Sequence, residues 1–244
     1  MSKVLKSGLF FILFIQTFFS EGQIIRKLTL DKSQHLNYAQ TLIKDLKDGY
    51  LIVRLHYNQA QILYFTKIME DKASSPKEIK MAQSELKDII SARDNFNQIL
   101  IASIDSVYRF SKVRYIYDKD YSEKNIDQNN NSFLNVNMEM DPILGIGNAK
   151  YLVFGYMDYT TSTGRSNQDF RLLTPDFTEV PKQIQIPGSN MLFNFTLDYG
   201  KPTAVKSALI KKMTNYNLRL NYFYSKFILG INPKSQKALT KSKH

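Results

Sequence analysis

The sequence predicts an α/β fold with a central mixed sheet of about five strands and covering helices. Three observations carry that expectation. Tyr50-Leu-Ile-Val-Arg-Leu-His-Tyr57 alternates in the manner of a half-buried strand, with Leu51, Val53, Leu55 and Tyr57 on one face and Ile52, Arg54 and His56 on the other. Long stretches on either side recur at helical spacing. More than fifty residues separate this strand from the next, Lys112-Val-Arg-Tyr-Ile-Tyr117, which is the length a parallel crossover through helices requires.

The elements follow in order. Residues 33–48 read as a short helix capped by Ser33, with Leu36, Ala39, Leu42, Ile43 and Leu46 on its apolar face and Gly49 as its stop. After the first strand, Asn58 with Gln61 suggests a capping box for a helix to about Asp71. Ser75-Pro-Lys-Glu78 is a second box, since serine at the cap, proline in the first turn and glutamate three on each suit a helix start. The helix it opens carries Ile79, Ala82, Leu86, Ile89, Phe96, Leu100 and Val107 at alternating steps of three and four, interrupted by Arg93. Residues 58–108 therefore form a helical hairpin inserted between two parallel strands. The functional alternative for it is an exposed interaction arm.

Residues 118–132 are polar and aperiodic and read as a surface loop. Tyr151-Leu-Val-Phe-Gly-Tyr-Met157 is apolar enough for a central strand, and Phe170–Thr174 reads as a short fourth strand closed by Pro175-Asp176. Residues 181–190, with two prolines and a glycine, suit a connection or an edge. Met191, Phe193, Phe195 and Leu197 alternate with their neighbours and predict a fifth strand. A last helix spans residues 203–227, with Val205, Leu209, Met213, Tyr216, Leu220, Phe223 and Phe227 turned to the sheet and Lys206, Lys211, Asn215, Arg219 and Lys226 turned away. An amphipathic basic helix also suits a membrane surface, which is the competing reading for this element.

The first 22 residues have the grammar of a secretory signal peptide. Lys3 and Lys6 precede an apolar run from Gly8 to Phe19, and Ser20-Glu-Gly22 places small residues before a cleavage point between Gly22 and Gln23. The run is 12 residues long, short of the ~20 a spanning helix needs, and no later segment of the chain comes close. The expected organisation is a signal peptide at 1–22, a single α/β domain at 23–231 and a basic flexible tail at 232–244. Such a chain is periplasmic or secreted, and the alternative is an uncleaved anchor.

Composition excludes more chemistry than it suggests. With no cysteine there is no thiol nucleophile, dithiol redox pair, thiolate metal centre, disulfide or N-terminal lipid anchor, and with three histidines a histidine-rich metal site is not expected. No cofactor is implied. The formal net charge of +11 favours an anionic envelope component as partner, another envelope protein being the alternative; solvated lysine faces are the plainer explanation, and an exported chain rarely meets nucleic acid.

One position in the chain is worth testing for a site. Ligands collect beyond the carboxyl ends of parallel strands, and the first two strands end at His56-Tyr57-Asn58 and at Tyr117-Asp118-Lys119-Asp120. If the strands are neighbours, His56 meets Asp118 or Asp120 and can act as an oriented base, with Asn58 alongside. The alternative is that Asn58 caps a helix, His56 packs and the aspartates form solvated turns. Gly145-Ile-Gly147 lacks the third glycine and the strand and helix of a phosphate loop, and no Gly-x-Ser-x-Gly elbow occurs. Tyr115, Tyr117, Tyr156 and Tyr159 near strand ends could stack sugars or bases, but without tryptophan or a repeated spacing core and cross-strand packing is the better explanation.

The segments Lys47-Asp-Gly-Tyr-Leu-Ile-Val-Arg-Leu55, Phe110-Ser-Lys-Val-Arg-Tyr-Ile-Tyr-Asp118 and Ser132-Phe-Leu-Asn135 resemble uncharacterised secreted proteins common in Bacteroidota. The resemblance covers about half of the chain after its leader and implies fold and address, with no activity to carry over. The order of elements also loosely resembles a thioredoxin-like sandwich with a helical-hairpin insertion, here without redox cysteines and hence in a non-redox role. The expectation is an exported, non-enzymatic accessory or binding protein. A hydrolase or metal-assisted enzyme centred on His56 and Asp118, and a peripheral membrane protein, are the alternatives.

Overall fold

The computed structural model describes residue 25 and residues 28–121, 126, 132–160 and 166–231. The proposed leader with its Gly22–Gln23 cleavage point, and the basic tail at 232–244, lie outside the described residues. Among the described residues the sheet has four strands, in the order β2-β1-β3-β4, with two helices in the crossover from β1 to β2.

Helix α1 runs Lys32–Asp48 and buries Ala39, Leu42, Ile43 and Leu46. Its cap is Asp31, two residues ahead of the expected Ser33: the Asp31 carboxylate accepts the Gln34 N–H at 2.8 Å, and the Gln34 side chain accepts the Asp31 N–H at 3.1 Å. A carboxylate outcompetes the neighbouring hydroxyl, and Ser33 Oγ itself donates to Asp31. The helix stops at Gly49, where any Cβ would collide with the Lys150 carbonyl oxygen; that oxygen accepts the Tyr50 N–H at 3.0 Å. This close approach sets where β1 (Tyr50–Leu55) begins against β3 (Tyr151–Thr160).

Helices α2 (Gln59–Glu70) and α3 (Pro76–Val107) form the expected hairpin. The Ser75–Glu78 capping box is present with Pro76 in the first turn. The Asn58–Gln61 box is not: Asn58 sits in the left-handed region at φ 61°, ψ 40° and its side chain makes no cap bond. Asparagine tolerates that region better than most residues, so Asn58 serves as the hinge between strand and helix.

Strand β2 (Lys112–Tyr117) lies parallel to β1, with Tyr50 beside Lys112 and Leu55 beside Tyr117. Strand β3 is also parallel to β1 and is interior to the sheet, as its apolar run predicts. Strand β4 (Ser166–Leu173) pairs with β3 antiparallel and is longer than expected.

The predicted fifth strand is instead helix α4 (Met191–Tyr199). Asn190 is the missed signal: its side chain accepts the Phe193 N–H at 2.8 Å and starts a turn whose Phe193 and Leu197, four apart, pack on the core. The edge where a fifth strand would add is also occupied. The Gln185 side chain takes both peptide groups of Leu172, at 2.8 and 3.0 Å, and Leu173 bridges to Glu179. Helix α5 (Pro202–Phe227) covers the sheet through Val205, Leu209, Met213, Tyr216, Leu220 and Phe223, as the periodicity predicts, whereas Phe227, the last of the expected stripe, is exposed.

The two sheet faces are covered differently. On one, Leu51, Val53, Leu55, Leu152 and Phe154 pack beneath α1, the second half of α3, and α5. On the other, Ile52, Ile116 and Val153 lie beneath Tyr121, Phe133 and Ile146 from irregular segments.

Candidate functional site

Because β1 and β2 are adjacent and parallel, their carboxyl ends converge as the sequence predicts. The ladder continues one residue further, with the Asp118 N–H donating to the Leu55 carbonyl at 2.8 Å. The Asp118 carboxylate then turns back: Oδ1 accepts the Tyr57 N–H at 3.1 Å and Oδ2 stands 3.9 Å from His56 Nδ1. Each side chain is about a third exposed, at 31 % for His56 and 32 % for Asp118. The gap is an ion-pair distance, too long for a hydrogen bond that would orient the ring.

Asn97 of α3 holds this corner from beneath. Fully buried, it donates from Nδ2 to the His56 carbonyl at 2.8 Å and accepts the His56 N–H at Oδ1 at 3.1 Å, standing in for a strand. The imidazole packs against Phe96 and Tyr156, with ring centres 5.5 and 6.1 Å away. Asp120 pairs with Lys119 at 3.6 Å, and its N–H closes a turn on the Tyr117 carbonyl.

The rim is aromatic and cationic. Tyr57 and Tyr117 meet edge to face at 5.3 Å; Lys119 Nζ stands 4.0 Å from the centre of the Tyr57 ring, and the Arg93 guanidinium 5.1 Å from it. Arg93 also pairs with Asp94 at 2.8 Å and donates to the Tyr57 carbonyl at 3.2 Å. Burial raises the Tyr117 phenol above its usual range, against the lowering effect of Arg93. The sequence carried a signal for part of this support: Arg93 is the polar interruption of an otherwise apolar helical stripe, whereas Asn97, four residues on, lies beside that stripe and carries no such signal.

Chemically, the pair could deliver a partly exposed base, but its backbone and carboxylate already close the sheet. Among the described residues no group of three or more histidine, aspartate and glutamate side chains could hold a metal ion.

A second polar cluster, drawn from three distant segments, escaped sequence reasoning. Buried Asp169 of β4 accepts the Ser189 N–H at 3.0 Å and the Ser189 hydroxyl, and Lys212 Nζ of α5 stands 3.5 Å from it. Lys212 also donates to Ser189 Oγ at 2.6 Å and to the Pro187 carbonyl at 2.9 Å, and lies 4.5 Å from the centre of the Phe193 ring. Desolvation lowers the Lys212 pKa while Asp169 opposes that. A serine beside a lysine suggests a nucleophile and its base, but here the ammonium and the hydroxyl both give hydrogens to Asp169. The cluster is a clasp that fixes residues 187–190, and so the start of α4, against β4 and α5.

A cavity of about 470 Å³ lies toward the amino end of β3, lined by Tyr38, Asp45, Gly147, Tyr151, Thr174 and Asp176 among others. It is bordered by Gly147, the second glycine of the pair noted in the sequence, which uses its freedom at φ 57°. None of His56, Asn58, Asp118 and Asp120 lines it.

A scan against protein-family models finds no match, and comparisons with curated proteins and with solved structures find none.

Proposed function

We propose that this chain is an exported, non-enzymatic binding protein of the cell envelope whose partner is anionic. The observation that carries the reading is where the charge lies. Residues 23–180 hold 20 basic and 20 acidic side chains, whereas residues 181–244 hold 11 basic side chains and a single acid, Asp198. An even coat of solvated lysines would be spread along the chain. Concentrating the excess in one stretch of sequence instead favours a field that recruits and orients an anionic partner. The strand ends support the non-enzymatic part, because Asp118 and Asn97 are engaged in closing the sheet. The thioredoxin-like likeness belongs to the same proposal and concerns architecture alone.

Equilibrium binding to dextran sulfate, with neutral dextran as control, tests the reading. We expect binding to the sulfated polymer that weakens steeply between 50 and 300 mM salt, on the order of tenfold or more. Equal affinity for both polymers, or for neither, would sink it. The leader is tested separately by N-terminal sequencing of exported material, which should begin at or near Gln23.

The 3.9 Å approach of His56 and Asp118 keeps a hydrolase as the second reading. Turnover of an ester panel that is abolished by both His56→Ala and Asp118→Asn, with folding intact, would favour it over the binding protein.

A further inference from the structure

We infer that α4 is a membrane-contacting wedge, and that the lysines that follow it in the chain help dock this protein on an anionic lipid surface. The inference rests on the anionic-partner reading and names the partner.

Helix α4 is apolar on two opposite sides. Phe193 and Leu197 face the core, while Leu192, Phe195 and Tyr199, at steps of three and four, form an outward stripe with exposures of 72, 62 and 77 %. A short helix that is apolar on both sides needs a second apolar medium outside the fold. Among the described residues, eight of the thirteen exposed large apolar side chains fall between residues 181 and 231, the same segment that holds the charge excess. Lysines follow α4 closely in sequence, at Lys201, Lys206 and Lys211, all exposed.

Apolar exposure and one-signed charge together match a headgroup layer over hydrocarbon, where each supports the other. An acidic glycan would explain the lysines and could stack on Phe195 and Tyr199, but would leave the aliphatic Leu192 without a partner. A spanning role does not arise from these elements, since no described helix is long and apolar enough to cross a bilayer. The presentation is rigid: Asn190 caps α4, and the Asp169–Ser189–Lys212 clasp fixes the residues before it.

The chain has no tryptophan, so a single introduced one is an unambiguous reporter. The experiment uses Phe195→Trp, with Leu63→Trp on exposed α2 as control, titrated with phosphatidylcholine vesicles with and without phosphatidylglycerol. We expect Phe195→Trp emission to shift to the blue and to be quenched by brominated acyl chains only with phosphatidylglycerol present, while Leu63→Trp stays unchanged. Leu192→Ser with Phe195→Ser should weaken vesicle binding about tenfold or more and leave dextran sulfate binding unchanged. Circular dichroism and thermal melts establish that each variant is folded.

Vesicle binding without a Phe195→Trp response would overturn the wedge, since charge alone would then explain attachment. Binding to dextran sulfate but not to vesicles would overturn the lipid assignment, point to an acidic glycan and leave the broader reading standing. Binding to neither would remove both. A blue shift without vesicles that grows with protein concentration would identify a second copy as the occupant and overturn the inference.

Discussion

The two faces of the sheet solve the same problem in different ways. The helix-covered face is built on a large apolar cluster, because a helix satisfies its own peptide groups and asks chiefly for apolar surface beneath it. The loop-covered face carries guanidinium groups among its apolar residues. Arg114 of β2 donates to the Leu144 carbonyl at 2.8 Å, and Arg54 of β1 donates to the Asp118 carbonyl at 3.4 Å while lying near the rings of Tyr121 and Phe177. Irregular cover brings carbonyls with no regular partner, and the strands beneath supply the donors. Burial lowers the Arg54 pKa, partly offset by Asp118, which fits a cation held at the protein's interior margin. The same chain thus packs one side by shape and the other by hydrogen bonds to loops.

The largest expected effect tests that contrast with two buried phenylalanines. Phe154→Ala, on the helix-covered face, should cost about 3–5 kcal/mol, because three packed helices cannot collapse into the hole. Phe133→Ala, on the loop-covered face, should cost at least about 1 kcal/mol less, since a loop can relax. Urea unfolding midpoints measure both, and equal losses would erase the distinction. A smaller effect is expected for Arg114→Met, about 1–2 kcal/mol, as the Leu144 carbonyl loses its donor. Faster amide exchange confined to residues around 144 would locate the loss in the loop, whereas exchange rising across β2 would place it in the sheet.

The faintest contrast is in pH. Burial raises the phenols of Tyr108, Tyr115 and Tyr216, all on the helix-covered side, above their ordinary value. A group raised on folding contributes stability that is whole below its unfolded value, near 10, and is lost as pH climbs toward the folded one. Their phenolate absorbance should therefore appear only as the protein unfolds in alkali. Asp176, by contrast, is held below its ordinary value mainly by the Thr174 hydroxyl, with Thr178 also contributing. Its small contribution is present above the usual aspartate range and fades as acid protonates it, so Asp176→Asn should flatten the acid limb of stability slightly. An alkaline titration showing all tyrosines ionising in the folded state would contradict the first statement. An unchanged acid limb would contradict the second.

Much of the fold was legible because it depends on local repetition. The alternation of β1, the apolar run of β3, the Ser75–Glu78 box and the seven-residue rhythm of α5 each encode their own structure. The failures share a different cause. Met191–Leu197 alternates like a strand, yet Asn190 ahead of it and Gln185 on the β4 edge decide for helix, and the second acts through space. Asn58 carries a helix-cap residue type that the backbone uses for a left-handed turn instead. At the candidate site, the meeting of His56 and Asp118 followed from parallel strand ends; Arg93 was visible only as an interruption, and Asn97, beside the stripe, gave no signal. The clasp of Asp169, Ser189 and Lys212 joins residues 20 and 23 positions apart, with no periodicity to announce it.

Gln185 has a consequence beyond the architecture of one molecule. An open strand edge invites a neighbour's backbone, and sheets can grow from chain to chain by that route. On β4 the invitation is withdrawn at Leu172, whose two peptide groups are held by one side-chain amide, while the adjacent Leu173 bridges to Glu179. An arriving strand must first evict Gln185, so crowded, newly folding copies of this chain are deterred from stitching themselves into fibres without help from any disulfide.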